Sequence, residues 1–193
     1  MKPRSPCWSP LHALVLSLLL TLAGAPTGAC AQGELQRAEY QVKAAFLCKF
    51  GNYVEWPAQP AAGAETPFGI GAFASDAVFD ELTRAAAGQT VNGRRIAVRR
   101  LARGEPLDGL AIVFVARSHA NLLAETLAAA KGQPILTVSE SEQGTAVASI
   151  VNFVIVADKV KFDIALPQAE QSNLKISARL LAVARSVAGG KSS

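Results

Sequence analysis

The chain has 193 residues, half of them hydrophobic and 18% charged, with a formal net charge of +4. That length suits one domain able to bury a core, and so small a charge excludes a polyelectrolyte or a strongly basic nucleic-acid binder. Three cysteines and two histidines leave little material for a disulfide framework or a zinc or copper site.

The first stretch is a targeting signal by its pattern. Residues 1–9 carry Lys2 and Arg4 without an acid, the apolar run LHALVLSLLLTLAGA fills 11–25, and Ala29-Cys30-Ala31 supplies small residues before a cut after Ala31. A basic start, an apolar middle and an A-x-A exit predict a secretory leader over 1–31, ahead of a single domain over 32–193. The apolar run is shorter than the ~20 residues that span a bilayer. Removing 1–31 leaves 17 basic and 15 acidic side chains, a net charge of +2, and Cys48 with no cysteine to pair with. Cys48 reads as a small buried hydrophobe; a nucleophilic role would need His119, the only histidine after residue 31.

A helix is expected over 33–53, with Leu35, Val42, Phe46 and Tyr53 in one narrow arc and Pro57 ending it. Phe46 and Phe50 read as core, whereas Tyr53 and Trp56 divide between core and a recognition site, because each joins an aromatic body to a polar handle. The run PFGIGAFA reads as a buried strand, followed by a helix that Ser75-Asp76 caps and Gly88 ends. Asn92-Gly93 predicts a tight hairpin turn into a strand over 95–101. GLAIVFV and PILTV are continuous apolar runs of the kind found in parallel strands covered on both faces, with a helix over 118–130 between them. Residues 150–156 and 160–165 form a hairpin in which Val160, Phe162 and Ile164 alternate with Lys161 and Asp163, so Asp163 is expected on a wet face. Pro167 opens a short helix, and Ser177 caps a last one whose inward stripe is Leu180, Leu181, Ala184 and Val187. The order predicts an α/β fold: a three-layer sandwich with a largely parallel sheet, a C-terminal β-hairpin and flanking helices.

Catalytic patterns do not emerge. The G-x-G of FGIGAFASD lacks the third glycine of a dinucleotide fingerprint, and there is no nucleophile elbow, Walker loop or metal-spaced set. Asp80, Glu81, Glu105, Asp108, Glu140 and Glu142 read as solvated charges, as do Arg94, Arg95, Arg99, Arg100 and Arg103. No catalytic residue, metal ligand or cofactor is expected, and no nucleic-acid partner. What remains is recognition, centred on Tyr53, Glu55 and Trp56.

The stretches QVKAAFLCKFGNYVEWP, PFGIGAF, GQTVNGRRIAVRR, PILTVSES, IVNFVIVADKVKFDIAL and LKISARLLAVA, taken in order, resemble the YfiR family of periplasmic proteins over residues 39–184. The resemblance implies an exported, often dimeric α/β domain. It implies binding to the periplasmic sensor domain of an inner-membrane diguanylate cyclase, whose cyclic-di-GMP output the protein lowers. It also implies an outer-membrane lipoprotein that relieves that inhibition. Two departures stand out: Cys48 has no disulfide partner, and Phe162-Asp163-Ile164-Ala165 stands where the family carries FEIN. Partner or ligand contact is expected at Tyr53, Glu55, Trp56, Asp163 and Ser177. A small-molecule sensor or solute-binding domain is the alternative, with Glu55, Trp56 and Ser177 meeting outside the carboxyl ends of the parallel strands.

Overall fold

The computed structural model describes residues 27–57, 66–140 and 149–189. The expected leader lies outside them as far as residue 26, and so does Glu142. The chain divides into two compact units, residues 1–35 and 36–193; the fold described here is that of the second. Helix α1 (Thr27–Phe50) leads into the short strand β1 (Val54–Glu55). Then come β2 (Phe68–Phe73), α2 (Asp76–Ala86), β3 (Thr90–Val91), β4 (Arg94–Arg100) and β5 (Leu110–Val115). A 3-10 turn over Arg117–Leu122 runs into α3 (Leu123–Ala130), followed by β6 (Leu136–Glu140), β7 (Val151–Val156) and β8 (Lys159–Ala165). The chain ends in α4 (Leu166–Gln171), β9 (Lys175–Ile176), α5 (Ala178–Val183) and β10 (Ser186–Ala188).

Eight strands form one sheet in the order β10-β8-β7-β6-β5-β2-β4-β3, parallel except at β7/β8 and β3/β4, while β1 and β9 make a separate antiparallel ribbon. Strands β2, β5 and β6 are buried along their whole length, as the unbroken apolar runs predicted. Both hairpin turns use left-handed backbone. Asn92 and Gly93 have φ of 50° and 79°, and Ala157 and Asp158 have 47° and 58°, the paired positive φ that matches strand twist.

Each face of the sheet carries its own core. On one, α1 and α2 pack with Leu174 and Leu180 around the phenylalanine cluster; on the other, Leu122 and Ala130 cover Phe73, Leu107, Val113 and Ile135. The expected layers are present. The G-x-G pair lies inside β2 and serves packing: a Cβ on Gly71 would sit 2.5 Å from Leu110 and 2.7 Å from Leu101. No phosphate loop is formed there.

Two expectations need correction. The buried face of α1 is not the Leu35–Val42–Phe46–Tyr53 arc, since Leu35, Val42 and Tyr53 are exposed. Tyr40, Lys43, Ala44, Leu47 and Phe50 face inward instead, a face rotated by about a third of a turn at 100° per residue. Counting apolar side chains missed it because a lysine and a tyrosine are buried where an acid satisfies them. The last helix is also shorter than expected: it stops at Val183, and Val187 lies in β10, paired with Ile164 of β8. Capping an otherwise open sheet edge outweighs another helical turn.

Candidate functional site

The ribbon assembles most of the expected residues. Strand β1 pairs with β9 in the register Val54↔Ile176 and Glu55↔Lys175, and the Ser177 N–H donates to the Tyr53 carbonyl at 2.9 Å. Ser177 also caps α5, its Oγ accepting from the Leu180 N–H at 3.3 Å, a bond that satisfies one of the open donors of the first turn. Tyr53 and Glu55 are exposed on this ribbon. Tyr53 borders an apolar crevice of about 270 Å³ formed with Phe46, Phe50, Leu180 and Val183, with Lys49 and Arg179 beside it.

Trp56 turns the other way. Its ring meets Phe68 edge-on with centroids 5.3 Å apart, and its Nε1–H is buried with no partner among the described residues. Together with Glu55, Asn92 and Arg94 it lines a cleft of about 400 Å³. That cleft opens beside Phe68 and Leu110, the amino ends of β2 and β5, so it is not at the carboxyl ends where the sequence reading put a pocket.

The carboxyl end is filled by charge. At the end of β6, Glu140 takes a hydrogen bond on Oε2 from the Tyr40 hydroxyl at 3.1 Å and another from the Arg117 N–H at 3.1 Å. Lys43 Nζ lies 3.3 Å from Glu140 Oε1 and pairs with Glu39 one helical turn away, while Arg117 reaches Glu39 Oε1 at 3.3 Å. The Lys43 and Glu140 side chains are 1% and 0% exposed, so Glu140 is no solvated charge. Burial raises the Tyr40 phenol well above its ordinary range, and the neighbouring Glu140 carboxylate raises it further. Glu81, also expected in solvent, is buried and held by Arg84 and Arg37, whose hydrogen bonds keep its carboxyl below the usual range.

Asp163 is corrected as well. It is 7% exposed, because Arg185 grips both its oxygens, with Nε to Oδ1 at 2.7 Å and NH2 to Oδ2. The alternation placed it correctly opposite Phe162. What it missed is that the chain returns as β10 alongside, bringing an arginine. Asp163 stands apart from the ribbon, on a strand where its register partners are Asn152 and Ser186.

Nucleophile chemistry gains no support. Burial pushes the Cys48 thiol up to about 11, the reverse of an activated thiolate; His119 Nδ1 instead contacts Ser118 Oγ at 2.9 Å. Among the described residues no group of three or more His, Cys, Asp or Glu could hold a metal, and no helix is long and apolar enough to cross a membrane.

The chain is thus an α/β domain with a doubly covered, largely parallel sheet and a buried ionic knot at its carboxyl end. The family model described as YfiR/HmsC-like matches residues 40–185, and the chain belongs to that family. Membership places it, at the level of the family, among non-catalytic periplasmic regulators of cyclic-di-GMP signalling that interact with the periplasmic domain of a membrane diguanylate cyclase. No curated protein sequence matches the chain.

Lys43, Arg117 and Arg185 were not singled out from the sequence, and Glu140 was read there only as a solvated charge. A faint signal existed for the first: Glu39 and Lys43 are spaced i,i+4 beside the apolar run Ala44–Leu47, where a lysine stays buried only with a partner. Glu140, Arg117 and Arg185 come from distant segments and left no local trace.

Proposed function

We propose that residues 1–31 are removed on export and that residues 32–193 bind and repress the periplasmic sensor domain of an inner-membrane diguanylate cyclase, lowering cyclic-di-GMP. The observation that carries this reading is the family match across residues 40–185. The contact surface is the β1–β9 ribbon, where Tyr53, Glu55 and Ser177 lie together and Trp56 adjoins. Asp163 contributes through Arg185, whose half-exposed guanidinium it orients. The chain acts as a homodimer, and an outer-membrane lipoprotein relieves the repression. The test is co-expression with the cyclase and measurement of cyclic-di-GMP. Wild type should lower it and co-purify with the sensor domain, while Tyr53→Ala/Glu55→Lys should do neither at an unchanged melting temperature. Unaltered cyclic-di-GMP with wild type overturns the proposal. Light scattering tests the dimer.

The cleft beside Trp56 favours a second reading, a small-molecule sensor, because its buried indole N–H has no acceptor among the described residues, which is costly, and a ligand oxygen would satisfy it. Thermal-shift screening of amino acids and aromatic metabolites on wild type and Trp56→Phe tests it. A stabiliser whose effect vanishes in the variant supports it.

A further inference from the structure

Strand β4 ends the large sheet for most of its length. The short β3 covers only Arg94 and Arg95, and the Ile96 N–H reaches back to the Gln89 carbonyl at 3.1 Å. On the inner side the Leu101 N–H donates to Ala72 of β2 at 3.0 Å. Backbone groups alternate along a strand, so Ile96, Val98 and Arg100 direct theirs outward, away from β2. Beyond Ile96, no strand among the described residues pairs with that outer edge.

The two faces of this edge differ. Toward α2, Ile96 and Val98 are half-buried and form a groove of about 670 Å³ with Thr83, Ala86 and Ala87. Toward the other face lie Arg95, Ala97 and Arg99, the first two exposed. Arg94 spends its hydrogen bonds on the Thr66 and Pro67 carbonyls at 2.7 and 2.8 Å. No carboxylate among the described residues pairs with Arg94 or Arg95, whereas Arg99 and Arg100 have Glu105 and Asp76. The edge is therefore open beyond Ile96, with Ile96 and Val98 apolar toward α2 and, on the opposite face, the exposed charge of Arg95 without a carboxylate among the described residues.

The geometry points to β4 as a docking edge for an extended partner segment that alternates apolar and acidic side chains. Such a segment adds a strand. Its carbonyls accept from the Val98 and Arg100 N–H groups, its apolar side chains enter the groove against α2, and its carboxylates meet Arg95 on the opposite face. Main-chain bonds supply affinity and the alternate side chains supply selection. A second copy is the wrong occupant, because pairing β4 with itself sets four arginines against four, and like charges across strands repel. The inference holds whichever protein supplies the segment and does not rest on the cyclase reading.

Fluorescence anisotropy with a short labelled peptide alternating glutamate and valine, and with its lysine–valine counterpart, tests it on the full-length chain. Wild type should bind the acidic peptide saturably and the basic one far more weakly. Arg95→Glu should weaken the acidic peptide about tenfold or more, as loss of a charge pair does, and prefer the basic one. Val98→Pro removes an outward donor and leaves the ladder to β2 in place, so it should also abolish binding. If that variant fails to fold, Arg95→Glu decides alone, being exposed and unpaired. Equal binding of the two peptides, no binding to wild type, or undiminished binding by Arg95→Glu overturns the proposal. So does a wild-type dimer in sedimentation that Arg95→Glu alters, since a second copy then covers the edge.

Discussion

Helix α1 meets the sheet twice, and the two contacts are built on opposite principles. At its downstream end Phe46 and Phe50 join Phe153 and Phe162, with ring centroids 5.4 to 6.5 Å apart and mostly tilted or edge-on. Upstream, Tyr40 and Lys43 enter the ionic knot around Glu140. The phenylalanines attract through area and dispersion, which have no direction, so a substitute of similar volume keeps most of the benefit. The knot depends on charges that have lost their water; each is tolerable only while its partner stands in place. One contact should degrade gradually and the other all at once.

The largest effect should come from the smallest change of shape. Glu140→Gln keeps the outline of the side chain but takes the fully buried carboxylate away from Lys43, leaving only Glu39 to hold the ammonium, and should cost about 3–5 kcal/mol in denaturant unfolding. A loss below about 1 kcal/mol, the range of exposed ion pairs, would show that water reaches the knot and that the contrast is false. On the aromatic side Phe162→Ala should cost about 3–4 kcal/mol through the cavity it leaves. Phe162→Leu should cost only about 1 kcal/mol. The contrast sharpens if the conservative exchange is mild at 162 and severe at 140.

Ser177→Ala removes the α5 cap and should cost about 1 kcal/mol, small enough that the Tyr53 crevice survives for binding assays. The last prediction concerns pH. Because Arg84 and Arg37 hold the Glu81 carboxyl below its unfolded value, its stabilisation is present above that value, about 4.3. It is lost as the pH falls through the lower folded value. Melting temperatures of wild type and Glu81→Gln should therefore differ at neutral pH and converge in acid; a gap that persists in strong acid would assign the difference to packing.

Much of the architecture is local and was legible from residue order. Continuous apolar runs marked β2, β5 and β6, Asn92-Gly93 marked a hairpin, Pro167 marked the start of α4 and Ser177 the cap of α5. These signals need only neighbours in the chain, because periodicity, φ preference and capping are properties of a few consecutive residues. The ribbon proposed as the contact surface was half legible: Tyr53, Glu55 and Ser177 were singled out, but their meeting depends on β1 pairing with β9 across more than a hundred residues. Tertiary structure alone decided the rest. Which face of α1 is buried was set by Glu140, a residue from a distant strand that makes burial of Lys43 and Tyr40 tolerable. Whether Asp163 meets solvent was set by Arg185, delivered when β10 closes the edge of β8. Strand β4 lies open beyond Ile96 because, among the described residues, no further strand pairs along its outer side. Burial of a charge depends on where its partner arrives in space, and short-range sequence pattern carries no record of that.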